Sequence, residues 1–164
     1  MGRRRSFHPM SAYVGLDVHS ESTYATVIGE DGKVIEQRRM VNDDLSKFLR
    51  SFSVKKVGME ASTYITPIYR ALTGEGYDVL VSHPKETKSI AKSRIKSDRI
   101  DSKAIANLLR LDALPLSYMP PPYIAQLRER VRRRAFLVRD RARLKAKIKG
   151  ILAYEGIKPP KEYG

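Results

Sequence analysis

Four acidic side chains stand where acids are costly or closely grouped. Asp17 follows the apolar run Val14-Gly15-Leu16, Glu60 follows Val57-Gly58-Met59, and Asp98 and Asp101 lie three apart in Lys96-Ser97-Asp98-Arg99-Ile100-Asp101-Ser102-Lys103. An acid ending a buried strand costs several kcal/mol unless it is paired or ligated. Carboxylates that face one point also repel each other and raise their own pKa values, and a divalent cation removes both difficulties. Hard oxygen donors suit Mg²⁺ or Mn²⁺, and two such ions about 3.5 to 4 Å apart can activate a nucleophile and stabilise a leaving oxygen at a phosphodiester. Asp17, Glu60, Asp98 and Asp101 are therefore the candidate catalytic and metal-binding residues. The competing reading has Asp98 as a helix N-cap, Asp101 favouring the helix dipole, and Asp17 and Glu60 solvated at strand ends.

The elements that must position these acids are legible in outline. Tyr13 to Val18, Thr23 to Ile28 and Val34 to Val41 are β-prone runs, with the hairpin pair Asp31-Gly32 between the second and third. Asn42 or Asp43 can cap a helix through Asp44 to Phe52, after which Val54 to Met59 reads as a buried strand ending at Glu60. A helix through Tyr64 to Thr73 stops at Gly74-Glu75-Gly76, and Tyr77 to Val81 supplies a fifth strand. Pro84 fits the first turn of a helix, and Asp98 to Leu111 has helical composition. Strands alternating with helices after an opening meander imply a mixed five-stranded sheet flanked by helices. If the first and fourth strands are parallel neighbours, Asp17 and Glu60 lie together at the carboxyl ends of central strands, where open α/β sheets place their ligands. Asp98 and Asp101 share one face of a helix.

Charge points to the partner. The 164 residues carry 32 Lys and Arg against 18 Asp and Glu, a net +14, which suits a polyanion such as DNA. Residues 1–122 hold 19 basic and 14 acidic side chains, whereas residues 123–164 hold 13 and 4, so most of the excess sits in the last quarter. Pro115, Pro120, Pro121 and Pro122 mark a connector between the two parts. The expected organisation is a basic tail over 1–11, a catalytic domain over 12–114, a Pro-rich connector over 115–122 and a basic helical segment over 123–158. In that segment Ile124, Leu127, Val131, Ala135 and Val138 follow helical spacings among Arg128, Arg132, Arg133, Arg139 and Arg143. Lys96, Arg99 and Lys103 flank the second acidic pair and are, with those arginines, the candidate phosphate contacts. No apolar run is long enough to span a membrane, no secretory signal opens the chain, and cysteine is absent, so a cytoplasmic location is expected. His19 is a candidate metal neighbour, although a lone histidine is more often structural.

Taken together, Gly15-Leu16-Asp17-Val18-His19, Met59-Glu60-Ala61-Ser62 with Tyr64 after it, Ser82-His83-Pro84 and Lys96 to Lys103 resemble the DEDD-type insertion-sequence transposases. The resemblance covers roughly residues 12 to 155; Ser97 and Ser102 stand where that pattern more often has Thr and Ala. It implies a RuvC-like, RNase H-type catalytic domain whose tetrad maps to Asp17, Glu60, Asp98 and Asp101 and binds Mg²⁺. It also implies divalent-metal-dependent DNA cleavage and strand transfer in transposition, dimers or tetramers on DNA and, for some members, a structured guide RNA. Such transposases continue into a C-terminal domain with a nucleophilic serine, which this sequence does not include. The expectation is therefore an N-terminal part, incomplete by itself. Two alternatives are a non-catalytic nucleic-acid-binding or assembly remnant and a stand-alone Holliday-junction-resolvase-like nuclease.

Overall fold

The structure is a computed structural model that describes residues 11–91 and 97–158. Its strands are β1 (Ala12–Val18), β2 (Ser22–Gly29), β3 (Val34–Val41), β4 (Val54–Glu60) and β5 (Val79–Ser82). They form one sheet in the order β3-β2-β1-β4-β5. The opening meander is antiparallel, whereas β4 runs parallel to both β1 and β5. The helices are α1 (Leu45–Leu49), α2 (Ile65–Gly74), α3 (Pro84–Ala91), α4 (Asp98–Arg110) and α5 (Pro122–Tyr154). The expected class, a five-stranded mixed sheet flanked by helices, is the observed one.

Strand period sorts β1 into two faces. Val14 and Leu16 are completely buried on one, and Tyr13, Gly15 and Asp17 point to the other, against which α4 packs across β1, β2 and β4. Two glycines make that approach possible. Gly15 and Gly58 are partners in the parallel pairing of β1 with β4. A Cβ on Gly15 would lie 2.0 Å from the Ser102 carbonyl oxygen and 2.5 Å from the Ala106 nitrogen, and one on Gly58 would lie 2.8 Å from Ile105 Cγ2. The helix backbone therefore rests directly on the strand. Ile105, Ala106 and Leu109 close the layer with Tyr13, Ile28 and Leu114, each large aliphatic side chain contributing about 1.5 to 3 kcal/mol by leaving water. Asp17 lies two residues beyond Gly15 and Glu60 two beyond Gly58, so both carboxylates project from the face that α4 covers.

Three details differ from the sequence expectation. Asn42 and Asp43 do not cap a helix: they form a short 3-10 turn, and α1 starts after Asp44 without a side-chain cap. Asn42 Oδ1 instead accepts from Thr23 Oγ1 at 2.7 Å, while its Nδ2 donates to the carbonyls of His19 at 3.1 Å and Ser20 at 3.2 Å. These bonds pin the β1–β2 turn that carries His19. The fifth strand begins at Val79 rather than Tyr77, because α2 ends in a Schellman motif: Gly76 takes φ 90°, and Tyr77 N–H donates back to Leu72 O at 3.1 Å. Part of the Pro-rich stretch is also tied to the sheet edge. His83 N–H donates to Pro115 O and Ser117 N–H to Val81 O, both at 2.8 Å.

The chain divides into two units, Met1–Tyr118 and Met119–Gly164. In the second, α5 starts with a proline in its first turn and runs for 33 residues, none of them buried. No described helix is long and apolar enough to cross a membrane. The basic tail, apart from Ser11, lies outside the described residues, as does Lys96.

Candidate metal centre

Each acid reaches the site by a different backbone device. Asp17 and Glu60 arrive at the ends of parallel neighbours, one step beyond the Leu16–Met59 pair. Asp98 and Asp101 occupy the first turn of α4, where the helix dipole favours anions. The cap is Ser97, not Asp98: its Oγ accepts from Ile100 N–H at 3.3 Å, and its carbonyl accepts from Asp101 N–H at 2.9 Å. The Asp98 carboxylate is thereby spared for other partners. Ser97→Ala is expected to lower the melting free energy by about 1 kcal/mol, read by thermal unfolding, with Ser97→Thr close to wild type.

All four predicted acids border one cavity. Asp17, Glu60, Asp98 and Asp101 line one cavity of about 160 Å³ together with Val18, His19 and Ser62. His19 Nε2 lies 3.4 Å from both Asp17 Oδ2 and Asp98 Oδ2. One donor atom each from Asp17, His19 and Asp98 falls within 4.8 Å of the others, close enough to share a cation; Glu60 and Asp101 do not belong to this group. Burial pushes the Asp17 carboxyl above its ordinary pKa; the charges of Asp98, Asp101 and Glu60 push the same way, and His19 opposes them. His19 Nε2 is itself buried and makes no directed hydrogen bond. Mutually repelling oxygens around an unsatisfied imidazole nitrogen are a donor set suited to a divalent ion.

A polar ladder fixes the start of α4 over this cavity. Register places Gly15, Thr26 and Gln37 in one row across β1, β2 and β3, and Asp17, Tyr24 and Arg39 in another. Gln37 Nε2 donates to Thr26 Oγ1 at 3.0 Å, and Thr26 Oγ1 meets the Ser102 hydroxyl at 2.7 Å. Ser102 Oγ also reaches Arg99 O at 3.3 Å, and either hydroxyl can be the donor in the Thr26–Ser102 contact. Arg99 Nε donates to Gln37 Oε1 at 2.8 Å, and Arg39 Nη2 donates to Asp98 Oδ2 at 2.7 Å. Ser102, where the resembling pattern more often has Ala, is completely buried and bonded on both sides.

The candidate phosphate contacts among the described residues are divided between the two units. Arg99 and Lys103 line a separate groove of about 470 Å³ with Gln37 and Asn107. Arg128, Arg132, Arg133, Arg139 and Arg143 belong to α5 in the second unit, where Arg143 pairs with Asp140 at 3.5 Å.

A family model for DEDD transposases of the IS110 type, described as a transposase, matches residues 14–155. The chain belongs to this transposase family. A curated member, the transposase for insertion sequence element IS1111A of Coxiella burnetii, is 28% identical over 155 residues, covering 94% of this chain. The chain spans 42% of that transposase's length. RuvC of T. thermophilus, solved in complex with a Holliday junction substrate, superposes with a TM-score of 0.50 at 13% identity, over 67% of this chain and the whole of RuvC. The fold of this transposase-family chain is thus RNase H-like, of the RuvC type.

Three contributors to the site escaped the sequence reading. Arg39 and Gln37 lie in a β3 run whose charged residues resemble a solvated edge; only the register of three strands shows that they face α4. Thr26 looked like an ordinary strand residue for the same reason.

Proposed function

We propose that Asp17, Glu60, Asp98 and Asp101 hold divalent metal, Mg²⁺ or Mn²⁺ and two ions, and that the chain is the N-terminal catalytic part of a DNA transposase. The observation that carries this reading is that four acids from β1, β4 and α4 border one cavity of about 160 Å³ within a chain of net charge +14. Ions held there would supply charge neutralisation at a phosphodiester and activation of its nucleophile. The protein's own share is positional. The glycine trough sets the distance between the strand acids and the helix acids, and Ser97 with the Thr26–Gln37–Ser102 ladder fixes the helix start. Arg99 and Lys103 bind the phosphate backbone beside the cavity, and the α5 arginines supply further phosphate contacts. Strand transfer then requires the remaining length of the transposase, and the active species is a homodimer or tetramer on DNA. A structured guide RNA, where one is used, engages the same basic helix.

The test is cleavage of labelled linear and branched DNA by the purified chain with Mn²⁺. Nicking by the wild type that falls at least about 100-fold in Asp101→Asn supports the reading. Selective resolution of four-way junctions by the chain alone would favour a resolvase-like nuclease. DNA binding with cleavage equal in wild type and variant would reduce the chain to a binding module. Arg132→Gln combined with Arg133→Gln is expected to weaken binding to all DNA sequences alike and to lower the slope of log affinity against log salt by about 2, measured by fluorescence anisotropy.

A further inference from the structure

The Asp98 oxygen that faces the candidate site is already engaged by a cation of the protein. Arg39 Nη2 stands 2.7 Å from Asp98 Oδ2, and the same oxygen lies 3.4 Å from His19 Nε2. That contact is built into the sheet. Asp17 pairs with Tyr24 and Tyr24 with Arg39, so Arg39 projects from the face that carries Asp17, two strands away. A guanidinium stays protonated at every working pH, so its charge is permanent. Its side chain is 58% exposed and that of Asp98 37%, which leaves the pair in contact with water and able to exchange.

We propose that Arg39 is the resident counter-ion of the metal-free site. It holds the Asp98 carboxylate in place against repulsion from Asp17, Glu60 and Asp101, and it gives up Oδ2 when a divalent ion ligates there. The inference rests on the metal reading of the four acids. Arg39 is then a competitor of the metal as well as a positioning residue, and the two roles give opposite signs. Loss of positioning alone would weaken metal binding. Loss of a competing positive charge beside the site strengthens it.

Calorimetric titration of the full chain with Mn²⁺ decides the sign, using wild type, Arg39→Met, Arg39→Gln, Arg39→Lys and Asp98→Asn. Arg39→Met and Arg39→Gln are expected to tighten the Mn²⁺ dissociation constant about three- to tenfold, a modest figure because water and salt screen the pair. Arg39→Lys keeps the charge and stays near wild type. The metal-free melting temperature should fall in Arg39→Met, and Mn²⁺ should raise it by more than in wild type. If wild type binds Mn²⁺ and both uncharged variants bind it equally or more weakly, the counter-ion role is wrong and the metal reading stands. The role also fails if Arg39→Lys binds as tightly as Arg39→Met. If neither wild type nor any Arg39 variant binds, the metal reading falls, and the counter-ion falls with it.

Discussion

Gly15→Ala is expected to cost about 3 kcal/mol or more and to lower the melting temperature by roughly 10 °C, with Gly15→Val failing to fold. The reason is backbone against backbone. The added Cβ would sit 2.0 Å from Ser102 O and 2.5 Å from Ala106 N, and neither atom can rotate away as a side chain would. Only withdrawal of α4 relieves the clash. Withdrawal opens the layer that buries Ile105 and Leu109 and separates Asp98 and Asp101 from Asp17. A variant that still folds should therefore also lose affinity for Mn²⁺. Gly74→Ala, where nothing lies within 4 Å of the new atom, is the control and should melt within about 1 °C or 2 °C of wild type. Circular dichroism melts of the two variants make the comparison.

The second large effect is a divergence between binding and stability in Asp17→Asn. The substitution removes a carboxylate from the centre of the donor set, and Mn²⁺ affinity should fall by about 100-fold or more. The metal-free chain, by contrast, should become more stable, by roughly a few degrees in melting temperature. Burial, followed by the charges of Asp98, Asp101 and Glu60, disfavours the ionised form of Asp17 and raises its pKa above 3.8. The native state then holds a proton that the unfolded chain has released. Asp17 accordingly contributes stability that is full below 3.8 and is lost as pH rises through its raised native value. Asparagine has no such loss. The gap in stability between variant and wild type should be small in acid and widen as pH climbs out of the carboxylate range. Saturating Mn²⁺ should reverse the order, because only the wild type gains from the ion. A variant that is less stable than wild type at neutral pH without metal would contradict the electrostatic picture.

Much of this arrangement was legible before any coordinates. Asp31-Gly32 announced the hairpin, alternating strands and helices announced the mixed sheet, and the parallel pairing of the first and fourth strands, a premise in the sequence, is present in the structure. These signals are local: turn chemistry, strand period and the cost of a buried charge. The glycines were less legible. Gly15-Leu16-Asp17 and Gly58-Met59-Glu60 share a spacing that places a gap and an acid on one strand face, but the need for the gap depends on a helix that arrives more than 80 residues after Gly15. Arg39 was hidden by register, since a one-residue slip of β3 would turn it to the other face. Asn42 was misread because its composition suits an N-cap, and the Thr23 hydroxyl and the His19 carbonyl compete for the same side chain. Tertiary partners decided each of these cases.

The central claim is that Asp17, Glu60, Asp98 and Asp101 form a metal centre. Anomalous diffraction at the manganese edge, from crystals of the chain grown with Mn²⁺, tests it most directly. The account predicts a manganese peak inside the cavity lined by the four acids, with Asp17 and Asp98 among its ligands and Arg39 withdrawn from Asp98 Oδ2. A cavity without a peak at saturating Mn²⁺, with Arg39 still against Asp98, would contradict it.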